Sequence, residues 1–253
     1  MPVIIWGNGA CTYDGTSFEA FLTEIASQGI FIISAGTPHG RDNPNGRAET
    51  VDPIPSILKT PLDWIFKNAG SGKYANVVTT RVAAAGMSCG GIQAYTQADD
   101  SRVTAIAILN SGQKTAANPI PGKMSKPIFY FLGGPTDIAY ENVCPTTMCH
   151  EPRHDTPLPM YSILTIVQGE RDYTVIPAGI PKWKGNLPVG HGGTYAQPNG
   201  GKFGVAATHW ALWLLRGNAT SAAYFTGTGS GTAKGDGWGT VSADLQSIKV
   251  EPL

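Results

Sequence analysis

Gly86-Met87-Ser88-Cys89-Gly90 lies between the apolar run Val82-Ala83-Ala84-Ala85 and the helix-like stretch Gly91-Ile92-Gln93-Ala94-Tyr95, and reads as G-x-S-x-G at a strand-to-helix turn. A serine so placed is a candidate nucleophile. The turn is sharp enough to strain the backbone at Ser88, and a Cβ two residues either side would strike the neighbouring strand or helix. Glycine answers both demands.

A serine hydroxyl attacks a carbonyl only when a base takes its proton, and that base needs an acid to hold its tautomer and stabilise the imidazolium. Of the five histidines, His191 in Val189-Gly190-His191-Gly192-Gly193 follows Ser88 and precedes the last helix, as the chain order serine, acid, histidine requires. His39 comes too early, and His209, beside Trp210 in an amphipathic helix, reads as packed or capping. Asp137 closes Gly133-Gly134-Pro135-Thr136-Asp137 directly after the apolar run Ile128 to Leu132. It is therefore expected at the carboxyl edge of a sheet, beside Ser88 and His191. Its other reading is an Asx-turn aspartate after a Gly-Pro bend, with Asp155 and Asp172 as fallback acids. A tetrahedral oxyanion needs aimed donors, each contributing about 3 kcal/mol. The amide of Cys89 is one, and Ala10 in Gly7-Asn8-Gly9-Ala10-Cys11 is the expected second, with Gly9 and Cys11 as its neighbours. Trp6, Tyr13, Met87, Tyr140 and Tyr195 adjoin these motifs and either line an apolar substrate pocket or simply pack.

The elements that would position these groups alternate between strand-like apolar runs and helical periods, the sign of a parallel sheet with helices on both faces. After Val3 to Trp6 comes a helix with Phe18, Phe21, Leu22 and Ile25 on one stripe, opened by a Thr16-x-x-Glu19 capping box and stopped at Gly29. Strands are expected at 30–34, 82–85, 103–109, 128–132 and 186–189. The stretch 54–69 has Leu58, Leu62 and Ile65 at helical spacing, with Pro61 near the start of the regular helix. A last amphipathic helix is expected over 202–216, and 226–253 reads as a surface loop and tail.

The 253 residues are enough for one α/β domain. Lys+Arg and Asp+Glu both number 18, so charge recommends neither nucleic acid nor an anionic membrane as a partner. No apolar run approaches the roughly 20 residues that span a bilayer. The chain begins within an apparent strand, and a leader and one or two edge strands are expected ahead of it.

Together, Trp6 to Cys11, Ala85 to Gly91, Gly133 to Asp137 and Gly190 to Gly193 resemble the α/β-hydrolase superfamily, over nearly the whole chain from Val3 to Arg216. The nearest likeness is to the branch of dienelactone hydrolases, cutinase-like esterases and polyester hydrolases with their secreted fungal and bacterial relatives. The resemblance implies a doubly wound sheet, a Ser88-His191-Asp137 triad, a nucleophile elbow at Ser88 and no cofactor. A small-molecule or polymeric carboxylic ester is the expected substrate, hydrolysed through an acyl-enzyme. A non-catalytic relative that binds a ligand or partner is the alternative.

Cys11 and Cys89 flank or form the expected oxyanion donors. A disulfide between them would clamp the two loops and stabilise by roughly 2 to 4 kcal/mol, whereas the other reading is two buried thiols. A bridge would favour secretion, as would the sequon Asn218-Ala219-Thr220.

The segment 143–168 is anomalous. Cys144, Cys149, His150 and His154 form a C-x4-C-H-x3-H pattern, but one short Pro-rich segment lacks the hairpin or helix that shapes a zinc site, and no metal is expected. Removing Val143 to Gln168 would join Asn142 to Gly169 and leave a short polar return from the acid loop. Val143-Cys144 can be encoded by GTATGT, Leu164-Thr165 by a run containing CTAAC, and Gln168 by CAG, the signals of a fungal intron. A retained intron and a substrate-covering lid are the two readings.

Overall fold

The computed structural model describes residues 1–40, 56–140 and 168–253. Among them, seven strands form one sheet: β1 (Val3–Gly7), β2 (Phe31–Ser34), β3 (Val82–Met87), β4 (Ala105–Leu109), β5 (Ile128–Leu132), β6 (Lys182–Asn186) and β7 (Gly239–Ala243). Their order is β2-β1-β3-β4-β5-β6-β7. Every neighbouring pair is parallel except β6 with β7, which is antiparallel.

The near-continuous apolar sequences of β1, β3, β4 and β5 are buried along their whole length, as strands covered on both faces must be. Successive side chains point to opposite faces, so neighbours in one strand serve different cores. Ile4 and Trp6 join Phe21 and Ile25 of α1 (Glu19–Ser27), Phe203 and Trp210 of α5 (Gly201–Arg216) and Phe225 of α6 (Ala219–Thr226). Val3 and Ile5 join Leu58, Leu62 and Ile65 of α2 (Ser56–Asn68), Tyr95 of α3 (Cys89–Tyr95) and Tyr173 of α4 (Gly169–Val175). The fold is thus α/β, with a mostly parallel open sheet between two helical layers. The chain leaves β1 for β2 on one side and returns to β3 on the other, so β1 and β3 meet at a switch point. Open sheets of this kind bind ligands in the crevice at the carboxyl ends of such strands.

Several elements differ from the sequence expectation. The capping box does not form: Phe18 is the N-cap residue of α1, and the Thr16 hydroxyl is taken by the Asp14 carboxylate at 2.6 Å. Pro61 lies inside α2 rather than at its start. The strand expected at 186–189 is Lys182–Asn186, because Lys182 and Lys184 carry their ammonium groups to its margin. Lys182 donates to the Ile176 carbonyl at 2.9 Å, and Lys184 pairs with Glu170. The 226–253 stretch is more than surface loop and tail. Trp238 is 2% exposed and packs on Phe131, Trp183 and Phe203, and β7 then closes the sheet edge. Helix α6 was not expected; Asn218 of the sequon is exposed and caps it, accepting the Ser221 N–H at 2.9 Å.

The segment 143–167, with Cys144, Cys149, His150, His154 and Asp155, lies outside the described residues. Residues 141 and 142 also lie outside the described residues, and the nearest described segments on either side lie together: the Gly169 N–H donates to the Ala139 carbonyl at 2.9 Å. With Val143 to Gln168 removed, Gly169 would stand four residues after Ala139, the spacing of an α-helical hydrogen bond. Asn142 would then replace Gln168 as the residue before α4, one side-chain amide for another, and Asn is a preferred N-cap. A chain lacking 143–168 is therefore expected to fold and melt within a few degrees of the full chain. Aggregation of the shortened chain, or loss of a cooperative transition by circular dichroism, would contradict this.

Candidate active site

Ser88 sits between β3 and α3 at φ 54°, ψ −118°, a region that L-residues enter only when their surroundings over-determine it. Both of its backbone polar groups are held. The Ser88 N–H donates to the Leu109 carbonyl at 2.9 Å, and the Ser88 carbonyl accepts the Ser111 hydroxyl at 2.5 Å and the Gly91 N–H at 2.9 Å. The turn closes because Gly7, Gly86 and Gly90 bring three backbone segments into contact. A Cβ on Gly90 would overlap the Gly7 carbonyl, and one on Gly86 would overlap the Gly90 carbonyl. Alanine at Gly90 is accordingly expected to cost about 3 kcal/mol or more through overpacking, checked by the urea midpoint against wild type.

His191 Nε2 lies 3.0 Å from Ser88 Oγ, and its Nδ1 lies 2.7 Å from Asp137 Oδ1. Asp137 is 1% exposed. Its Oδ1 also accepts the Ala139 N–H at 2.9 Å, and its Oδ2 accepts the Gly133 N–H and the Asn110 amide, each at 2.7 Å. Burial resists ionisation of this carboxyl, but the hydrogen bonds from His191, Ala139 and Gly133 outweigh it and hold the group below its ordinary value. An ionised Asp137 only accepts. The proton between the two residues is therefore on Nδ1, and in the neutral imidazole the Nε2 lone pair faces the Ser88 hydroxyl. Gly133 lets the acid loop reach the histidine loop, since a Cβ there would overlap the Gly190 carbonyl.

A folded-state pKa below the unfolded value stabilises the protein above the unfolded carboxyl's pKa, near 4. That contribution is lost as pH falls through the folded value. The stability gap between wild type and Asp137→Asn is thus expected to be widest above the unfolded carboxyl's pKa and to shrink as pH falls below it. Urea titrations across that range measure it, and a gap that stays constant would contradict it.

Cys11 and Cys89 are joined as a disulfide, with Cα atoms 5.2 Å apart. The bond ties the loop after β1 to the residue beside Ser88. In that loop Ala10 and Cys11 both have positive φ, 52° and 53°. Asn8 anchors its other side: the buried Nδ2 donates to the Ala35 carbonyl at 2.7 Å and the Asp14 carbonyl at 3.0 Å, while Oδ1 accepts the Trp6 indole N–H at 3.0 Å. The amide of Cys89 is the first of α3, and a helix leaves its first N–H groups without internal acceptors.

The remaining candidates are placed as follows. Trp6 is 1% exposed and packs on Phe18 and Phe21. Tyr195 is 6% exposed, packs on Phe18, Phe21 and Phe203, and donates its hydroxyl to Asn110 Oδ1. Both are packing residues. Met87 is buried, with its sulfur beside Gly9, whereas Tyr13 is exposed and Tyr140 half-buried. Asp172 lies in the opposite core, receiving Tyr95, Arg171 and the Gln113 N–H. Burial pushes its carboxyl up, partly offset by Arg171. His209 stacks on Tyr224 at 4.4 Å and meets Ser221. Burial lowers its pKa. Exposed His39 contacts Thr16. A surface hollow lined by Thr16, Phe18, Thr23, Tyr195 and Asn199 contains none of Ser88, His191 or Asp137, so it does not mark where chemistry at Ser88 would take place.

Asn110, Ser111 and Asn8 were missed by sequence reasoning. Their signal was available: Asn110-Ser111 is a polar pair directly after a buried strand, at the edge where ligands gather. No protein-family model matches the chain, and comparison with curated proteins returned no match. Among the described residues no group of His, Cys, Asp and Glu could hold a metal ion, and no helix is long and apolar enough to cross a membrane.

Proposed function

We propose that the protein is a serine hydrolase of α/β-hydrolase type that cleaves carboxylic esters. One observation carries the reading: the continuous hydrogen-bonded chain from Ser88 Oγ through His191 to the buried Asp137 carboxylate, at 3.0 and 2.7 Å. His191 Nε2 takes the Ser88 proton as Oγ bonds to the ester carbonyl carbon. The amides of Cys89 and Ala10 hold the resulting oxyanion. His191 then returns the proton to the leaving alkoxide, and the carbon–oxygen bond breaks to give an acyl-serine. Water, deprotonated by the same imidazole, releases the acid and restores Ser88. Asp137 keeps the imidazole in the required tautomer and stabilises its cation.

The Cys11–Cys89 bond and the exposed Asn218 support an oxidising, extracellular setting for this enzyme. The test is a panel of nitrophenyl esters of increasing acyl length. The reading predicts a burst of nitrophenol matching the enzyme concentration wherever deacylation is the slower step, and the panel ranks the acyl groups accepted. Turnover of none of these esters by folded protein would count against it and favour a binding role.

A further inference from the structure

Resting on the hydrolase reading, we propose that Asn110 is a positioning residue that locks the acid and both flanks of the histidine loop into one geometry. Asn110 is fully buried and follows β4 directly. Its Nδ2 donates to Asp137 Oδ2 at 2.7 Å and to the Gly190 carbonyl at 3.3 Å, and its Oδ1 accepts from the Tyr195 hydroxyl. Gly190 precedes His191 and Tyr195 follows it by four residues, so one amide ties the acid to the histidine segment on both sides.

The orientation of that amide is fixed by chemistry. Burial, with the Asp137 charge nearby, pushes the Tyr195 phenol well above its ordinary value. The phenol stays protonated, and the ionised Asp137 carboxylate only accepts; the NH2 group must therefore face the carboxylate, which turns the amide oxygen to Tyr195 as the acceptor of its hydroxyl. Asn also suits the backbone: φ at 110 is 43°, a region that Asn enters more readily than most residues. The flanking residues hold the nucleophile, Leu109 through the Ser88 N–H and Ser111 through the Ser88 carbonyl. Three consecutive residues at the end of β4 thus set the span between nucleophile and acid.

Two variants test this. Asn110→Gly removes the amide while admitting the positive φ. Asn110→Asp keeps the shape but sets a second carboxyl against Asp137, where the two must share a proton or repel. Each variant is followed by kcat and KM on nitrophenyl acetate, normalised to sites titrated with a fluorophosphonate, and by NMR of the His191 Nδ1 proton across pH. The expected result is a kcat about a hundredfold lower with KM little changed, as misplacing a catalytic group by about 1 Å does. The His191 Nδ1 resonance should move in both variants, and in Asn110→Asp the His191 titration should shift or gain a second step. A merely structural Asn110 would lower the melting temperature and leave kcat per titrated site and the His191 titration at wild-type values, and that result overturns the proposal. The NMR readout separates the two claims: an inert wild type whose His191 signal still responds to Asn110 sinks the hydrolase reading and keeps the positioning role.

Discussion

Replacing Ser88 by alanine is expected to lower kcat for ester hydrolysis by at least about ten-thousandfold, because the residual rate would come from binding and oxyanion donors alone. The fold should be nearly unaffected. The hydroxyl's partner is His191 Nε2, and the bonds that hold residue 88 in its strained conformation run to its backbone N–H and carbonyl. His191→Ala should cost a similar amount, since the serine then has no base. Because the two act as one unit, the double variant should be no more than a few-fold worse than either single variant. Initial rates on one nitrophenyl ester, with melting temperatures as a folding control, decide the matter. Losses that multiply would show that Ser88 and His191 act separately.

Breaking the Cys11–Cys89 bond should have the second largest effect, on both stability and rate. The cysteines are 78 residues apart, and cross-linking a loop of that length removes denatured-state entropy worth about 4 kcal/mol. For a domain of this size that corresponds to a fall of roughly 10 °C in melting temperature. The rate should fall as well. Asn8 fastens the β1 loop to the β2 side, and the disulfide joins Cys11 to the residue after Ser88. Freeing the loop there is expected to misplace the proposed Ala10 donor and lower kcat about a hundredfold. Reduction confirmed by thiol titration, or a Cys11→Ser and Cys89→Ser pair, provides the comparison. An unchanged melting temperature and rate would show that the bridge holds nothing in place.

The parts of the fold that sequence reveals best are those whose residues face one environment. β1, β3, β4 and β5 are buried on both sides and read as apolar runs. The β6 strand was misplaced because its lysines pass for surface residues, although their stems cover apolar ground and their ammonium groups find Glu170 and backbone carbonyls at the margin. The β7 strand was missed for a related reason. Its sequence, Gly-Thr-Val-Ser-Ala, is mostly exposed, and its place is decided by Trp238 packing against a core built from residues far away in sequence.

The candidate site shows the same division. Ser88, Asp137 and His191 were legible because each sits in a glycine-marked loop after a strand, in an informative chain order, and the structure brings the three together. Asn110 and Ser111 also lie in a glycine-bearing loop after a strand, before Gly112, but which groups they meet depends on the loops that gather above β4. Trp6 and Tyr195 are adjacent in sequence to the site motifs, yet the pleat and the turn direct both rings into the α1–α5 core. Adjacency along the chain did not predict direction.

An activated serine at position 88 is open to covalent labelling by an electrophile that mimics the tetrahedral intermediate. The folded protein is incubated with a fluorophosphonate, and the adduct is counted by intact mass and located by peptide mapping. One adduct per chain is expected, on Ser88, absent from Ser88→Ala and formed far more slowly in His191→Ala. Folded protein that takes no label, or takes it at another residue with Ser88 unmodified, would contradict activation of Ser88.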